Sequence, residues 1–239
     1  MTDLVQRLFD AKAATWQDKY APGGPLTGRL AALAEVVLRY APPGAQMLDL
    51  GCGTGNLAGH LARAGVRTVG CDISRPMLAG AARQDTPAGW VQLSPGWRHL
   101  PFAAAAFDAV VASSVLEYTP DPVAVLSECA RVLRPGGVAV CTVPDLRHPA
   151  RWLEWLAGTA GRGTAGHALG RRWPRWAAYR TYLCASRQRH RARWWLAVTR
   201  RAGLDPAPSH RAALVSSGGR CRALRVLVLA RPGGTGGPA

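Results

Sequence analysis

Residues 46–65 read QMLDLGCGTGNLAGHLARAG, and this stretch decides the fold. A short apolar run, Gln46 to Leu50, enters the glycine cluster Gly51–Gly55, and a helical pattern from Asn56 to Ala64 stops at Gly65. The order is strand, glycine turn, helix. Such a turn lets a ligand approach the backbone closely and sets a helix N-terminus against it. Gly53 to Ala58 even satisfies G-x-G-x-x-A, so at this point a nicotinamide or flavin enzyme stays open. Two carboxylates bear on the choice. Asp49, two positions before Gly51, would repel a pyrophosphate but could accept from an ammonium. Asp72, 21 residues after Gly51 at the end of the next apolar run, is placed to take both hydroxyls of a ribose.

Working outward, the chain alternates strands and helices. Leu4 to Tyr20 and Thr27 to Tyr40 carry apolar residues at helical spacing and are separated by Pro22-Gly23-Gly24-Pro25. Strands are expected at Val66–Asp72, Trp90–Leu93, Phe107–Ser113 and Val138–Val143. Helices are expected from Ser74 to Arg83 and from Asp121 to Leu133, the latter ending at Arg134-Pro135-Gly136-Gly137. Beyond Pro144 the regularity fades into a stretch of Arg, Trp and Gly that predicts one or two short helices. His190–Ala202 reads as a further helix, Ala212–Ser216 and Ala223–Ala230 as the last strands around a hairpin at Ser217-Gly218-Gly219, and the tail after Arg231 as disordered. The pattern predicts an α/β fold, a doubly wound, Rossmann-like, seven-stranded and mostly parallel sheet with an antiparallel last strand. Its expected divisions are a helical cap at 1–43, a cofactor-binding core at 44–145, an Arg- and Trp-rich acceptor lid at 146–210, final strands at 211–231 and a tail at 232–239.

The 239 residues carry a formal net charge of +16, from 28 Arg and 2 Lys against 14 acids. The charge is local. Residues 1–145 are neutral, whereas residues 146–239 hold 18 Arg against Glu154 and Asp205 alone. A GC-rich coding bias would raise Arg everywhere and does not account for the neutral half, so the basic half is expected to meet an anionic group. The six Cys form no C-x-x-C pair and no cluster of zinc-ligand spacing, so neither a disulfide framework nor a metal site is expected. With no apolar run of membrane-spanning length and no secretory pattern at the N-terminus, the expected setting is cytoplasmic.

Four stretches in order, LDLGCGTG (48–55), VGCDIS (69–74), LPF with FDAVVASSVLEYTPDP (100–102 and 107–122) and RVLRPGGVAVCTVP (131–144), resemble the class I S-adenosylmethionine-dependent methyltransferases, in particular their small-molecule, type 11-like branch. The resemblance implies S-adenosyl-L-methionine as cofactor. Asp49 and the backbone of Gly51, Cys52 and Gly53 would then face its methionine part, Asp72 its ribose, Ile73 and Met77 its adenine, and the backbone at Ser113 its amino acid end. On periodicity alone Ile73 and Met77 read equally as core. Tyr20 matches a position that closes over cofactor and substrate. Where the family commonly has an acid before L-P-F, this chain has Gly96; Trp97 is expected to stack on the adenine or else to fill the core. Tyr118 stands where the motif often has His, and a phenol is a poor base at neutral pH.

In such a reaction the protein aligns a nucleophile with the methyl group and, where needed, removes its proton. His148, shortly after the fifth strand, is the candidate base on topology, with Glu117 and Tyr118 as alternatives; an exposed loop histidine is the plainer reading of His148. Arg147 and Arg151 are expected to hold an anionic acceptor, or one tethered to an acidic carrier protein, with Trp152, Trp176 and Tyr179 lining an aromatic pocket. The expected activity is methyl transfer to O, N or C of a small molecule in natural-product metabolism. Two alternatives are RNA methylation through the basic half and a cofactor-binding partner subunit without activity.

Overall fold

The computed structural model describes residues 2–146, 149, 152–154, 174–207 and 224–233. Apolar side chains occupy both faces of its central strands, as in a parallel sheet covered by helices on either side. In β1 (Gln46–Leu50), Leu48 and Leu50 join one core and Met47 the other; β4 (Phe107–Ser113) and β5 (Leu133–Pro144) divide in the same alternating way. The first core packs Leu48, Val110 and Cys141 against Leu126 and Cys129 of α5 (Pro122–Val132) and Trp195 of α7 (Ala192–Arg201). The second packs Met47, Val111 and Val140 against Leu33 and Val37 of α2 (Thr27–Leu38) and Leu57 and Leu61 of α3 (Asn56–Arg63).

With β2 (Arg67–Asp72), β3 (Ala88–Gln92), β6 (Asp205–Pro206) and β7 (Leu224–Ala230), the sheet has seven strands in the order β3-β2-β1-β4-β5-β7-β6. The first five are parallel, and β7 runs antiparallel to both β5 and β6, which is the expected architecture. Local chemistry starts the helices. Ser74 caps α4 (Arg75–Ala82) by accepting from the Met77 amide at 3.3 Å, and Asp121 caps α5 by accepting from the Ala124 amide at 3.0 Å. Glu128 of α5 accepts from the Leu100 amide and from Arg131, each at 2.8 Å, while Arg131 also donates to the carbonyls of Leu100 and Phe102. Two of the quoted motifs, L-P-F and the one opening at Arg131, are thereby tied together.

Three elements differ from the sequence expectation. Helix α1 (Thr2–Asp10) ends halfway along the predicted helix, and two short 3₁₀ turns, Ala13–Thr15 and Gln17–Tyr20, follow. The turn expected at residues 134–137 is enclosed within β5: Phe107 pairs with Leu133 and Ala109 with Val138, so the four residues between bulge out, with Gly136 at φ +79°. A short strand that the sequence did not suggest, Asp205–Pro206, follows Gly203 (φ +77°) at the end of α7. Residues 212–219, expected to hold a strand and hairpin, lie outside the described residues, as do most of 147–173 and the tail from 234. α6 (Pro174–Ala185) and α7 form part of the segment expected as a lid. No helix among the described residues is long and apolar enough to cross a membrane.

Candidate active site

From β1 the chain winds outward to β2 and β3, then crosses back to β4 on the other side of β1. That reversal opens a crevice beyond the carboxyl ends of β1 and β4, where ligands of open α/β sheets bind. The glycine turn and the segment Ser113–Tyr118 form its two walls. At Gly51 (φ +72°) a Cβ would stand 2.5 Å from Cγ2 of Val115, and at Gly53 (φ +55°) one would stand 3.2 Å from Nε1 of Trp16. Only glycine lets these walls meet so closely without strain.

Four of the turn's five amides are already engaged. Those of Gly51 and Cys52 donate to the Cys71 carbonyl at 2.7 and 3.1 Å, that of Gly55 to the Cys52 carbonyl at 3.0 Å, and that of Gly53 to Oδ2 of Asp72 at 2.9 Å. Four amides that a pyrophosphate could approach are thus taken, which weighs against the dinucleotide reading of G-x-G-x-x-A. Asp72 also accepts the Ser74 amide through Oδ1 at 2.8 Å. Burial raises its carboxyl above the ordinary range, against the pull of the Ser74, Gly53 and Ile73 amides.

Asp49 is 2% exposed, and its Oδ2 has no hydrogen-bond partner. Burial, reinforced by the negative Asp72, pushes this carboxyl up to about 7. A buried carboxylate oxygen without a donor is costly, and a cationic donor brought into the cavity would relieve it. Burial, with Asp49 and Asp72 close by, also raises the Cys52 thiol well above its ordinary range, which makes it a poor nucleophile.

Arg29 of α2 is a residue the sequence reading missed. Its Nη2 donates to the hydroxyls of Ser113 (2.7 Å), Ser114 (2.8 Å) and Thr142 (3.1 Å), joining the cap to the ends of β4 and β5. Ser114 sits at φ +57°, outside the usual range for a residue with a Cβ, and its amide donates to the Thr142 hydroxyl at 2.7 Å. Tyr20 lies on the same wall, and burial raises its phenol.

One cavity of about 820 Å³ joins these groups. Tyr20, Asp49, Gly51, Cys52, Gly53, Asp72, Ile73, Met77, Trp97 and Ser113 all line it, together with Glu117 and Tyr118. Its remaining wall is aromatic and basic: Phe9 packs edge-on against Trp16 and Tyr118 at 5.8 and 5.1 Å, Tyr182 comes from α6, and Lys12, Lys19 and Arg187 add basic side chains. Glu117, 3% exposed, accepts from the Ser186 hydroxyl at 3.1 Å, and its carbonyl accepts the amides of Arg187 and Gln188. It fastens the chain after α6 to the crevice.

Of the expected acceptor residues, two can be placed among the described residues. Trp152 and Tyr179 are 52% and 38% exposed and do not line the cavity. Arg147, His148 and Arg151 lie outside the described residues, as does the side chain of Trp176, which belongs to α6. Arg29 escaped notice because its partners are 84 to 113 positions away. A signal for Lys12 and Lys19 was present: they are the only lysines among 30 basic residues.

A family model described as a methyltransferase domain matches residues 48–141. The chain is 37% identical over 167 residues to a ubiquinone biosynthesis O-methyltransferase of Xanthomonas campestris pv. campestris (strain B100), a match covering 65% of this chain and 69% of the relative. A protein of the same description from Xanthomonas oryzae pv. oryzae (strain PXO99A) is 34% identical over 171 residues, with the same coverage. The fold is similar to that of magnesium protoporphyrin IX methyltransferase from Synechocystis PCC 6803 with bound SAH, at a TM-score of 0.68 and 19% identity over 97% of this chain and 100% of that one. Crevice, motif order and relatives agree, and the chain belongs to the class I S-adenosylmethionine-dependent methyltransferases.

Proposed function

We propose that the protein methylates a hydroxyl of a small aromatic acceptor. The observation that carries this reading is the single cavity in which Asp49, the glycine turn and Asp72 are continuous with the rings of Phe9, Tyr118 and Tyr182. Its volume, about 820 Å³, lies toward the upper end of the roughly 300–1,000 Å³ usual for small-molecule sites and suits a cofactor beside an acceptor.

The residues present fit S-adenosylmethionine. Asp49, whose Oδ2 has no donor of its own, suits the ammonium of the methionine part, and Arg29, a fixed cation on the same wall, suits the carboxylate. Asp72 keeps lone pairs for the ribose hydroxyls, and Ile73, Met77 and Trp97 offer apolar surface to the adenine. When bound, the cofactor supplies an electrophilic methyl group on a sulfonium.

Oxygen is the proposed target because the curated relatives are named O-methyltransferases. Their names concern ubiquinone biosynthesis and lend no support to specialised metabolism, so the proposed acceptor is a hydroxylated benzenoid ring. Lys19 and Arg187 on the cavity wall favour one carrying negative charge, and Arg147 and Arg151 are proposed to extend that preference.

The test is to incubate the protein with S-adenosylmethionine and 3,4-dihydroxybenzoate, with histamine as the amine control, and to identify the product by mass spectrometry. An aryl methyl ether supports the reading; methyl transfer to the amine alone overturns it. For the cofactor assignment, Asp72→Ala is expected to weaken S-adenosylhomocysteine binding about tenfold or more in calorimetry; unchanged affinity would remove Asp72 from the site.

A further inference from the structure

Where only positive charge is needed, this chain uses arginine: 28 of its basic residues are Arg and 2 are Lys. Both lysines, Lys12 and Lys19, line the active-site cavity. An arginine can supply charge, hydrogen bonds and stacking, but it cannot give up its proton in a protein, whereas a lysine amine can. We propose that Lys12 is the general base of the reaction, its neutral amine taking the proton of the acceptor hydroxyl. The proposal rests on the O-methylation reading above.

The geometry around Lys12 suits a group that must be neutral before transfer and charged after it. Nζ lies 5.6 Å from the ring centroid of Phe9 and 5.6 Å from that of Tyr182, on the aromatic wall where a planar acceptor would lie. Burial and the charge of Lys19 hold the amine below its ordinary range, and Glu117 acts in the opposite sense. The two ring faces favour the cation once it forms. Among the described residues, other charged or titratable groups on this wall include the phenols of Tyr182 and Tyr118, the latter edge-on to Phe9, Cys184 of α6, Arg187, and Arg189, whose guanidinium lies 6.0 Å from the Tyr182 ring.

The other candidates serve less well. Glu117 is engaged with Ser186, and Tyr118 offers a phenol, a weak proton acceptor at neutral pH. His148 lies outside the described residues and is answered by experiment. In the proposed step the hydroxyl proton passes to Nζ of Lys12, an oxygen lone pair forms the O–CH₃ bond, and the electron pair of the broken S–CH₃ bond stays on sulfur. The positive charge leaves the sulfonium and reappears on Lys12.

A chain with two lysines gives two resolvable signals when its lysine Cε positions are labelled with ¹³C. In the protein saturated with S-adenosylhomocysteine, the Lys12 signal is expected to titrate below that of the same lysine in the urea-unfolded chain. With 3,4-dihydroxybenzoate as acceptor, Lys12→Met and Lys12→Arg are both expected to lower kcat about 100-fold or more. Both should also lose the rising limb of the pH–rate profile while binding S-adenosylhomocysteine within about twofold of the parent, which shows that they fold. The proposal is overturned if the Lys12 signal titrates as in the unfolded chain. It is also overturned if Lys12→Arg keeps its turnover, because a cation then suffices, or if His148→Gln removes the rising limb and Lys12→Arg does not. Failure to methylate any hydroxyl, with S-adenosylhomocysteine still bound, would sink the O-methylation reading and the base with it; an unshifted lysine in an enzyme that makes the ether would sink the base alone.

Discussion

Replacing Asp49 by Asn tests the proposed chemistry of the cofactor end of the cavity. In the unbound protein burial and Asp72 raise the Asp49 carboxyl to about 7 from an ordinary 3.8, so the folded state prefers the protonated form. The sign follows from linkage. The unbound fold pays about 4 kcal/mol to keep this group ionised above pH 7, and that cost fades as the pH falls from 7 toward 4. An ammonium placed at Oδ2 reverses the preference and expels the proton. Binding of S-adenosylhomocysteine, whose α-ammonium stays charged throughout this range, should therefore release a fraction of a proton at pH 7 and more at pH 6. Affinity should fall severalfold between pH 7 and pH 6 and by about tenfold or more by pH 5.5. Isothermal calorimetry in buffers of different ionisation enthalpy reads both quantities. Asp49→Asn should bind weakly, with a flat profile and no linked proton, and its unbound form should be at least as stable as the parent at pH 8. A parent affinity independent of pH between 7 and 5.5, or an unchanged profile in Asp49→Asn, would refute the assignment of Asp49 to the ammonium.

Two further substitutions probe the scaffold. Gly51→Ala places a Cβ at φ +72° and 2.5 Å from Val115 Cγ2, and a loss of about 1–3 kcal/mol in urea unfolding is expected, with weakened cofactor binding. Adding Val115→Ala should recover the part due to the clash and leave the part due to the backbone; full recovery would show that the backbone angle is not strained. Glu128 is held at about 2, chiefly by Arg131 and the Leu100 amide, so its ionised form stabilises the fold above the ordinary carboxylate range and ceases to do so as the pH falls toward 2. Glu128→Gln should cost about 2 kcal/mol at neutral pH, a figure reduced for the partly exposed Arg131, and should flatten the acid limb of the stability curve; equal stability of parent and variant at pH 7 would contradict this.

What could be read from the chain follows the range of the interactions. The strand, glycine turn and helix at 46–63 depend on neighbours within a few residues, as do the caps Ser74 and Asp121, and all were legible. The short strand Asp205–Pro206 was not, because it carries no strand pattern of its own and is held in the sheet by pairing with β7; the strand expected at 212–216 lies outside the described residues. Within the site, the carboxylates at the ends of β1 and β2 were visible because strand ends are visible. The scarcity of lysine marked Lys12, but that Lys12 and Trp16 reach the cavity was not legible, since the break after α1 that brings them there has no proline or glycine to announce it.

Sequence alone therefore determined the class of protein: the order of strands and helices, the glycine turn, and the division of charge into a neutral cofactor half and a basic remainder, all of which are properties of residue type and spacing. Tertiary structure decided the chemistry. It engaged four of the turn's amides internally, left one oxygen of Asp49 buried without a donor, drew Arg29 to hydroxyls on two distant strands, and set the chain's only lysines against the same cavity. Protonation states and donor counts depend on burial and on groups far apart in the chain, and those come into existence only when the sheet and its cap close around the crevice.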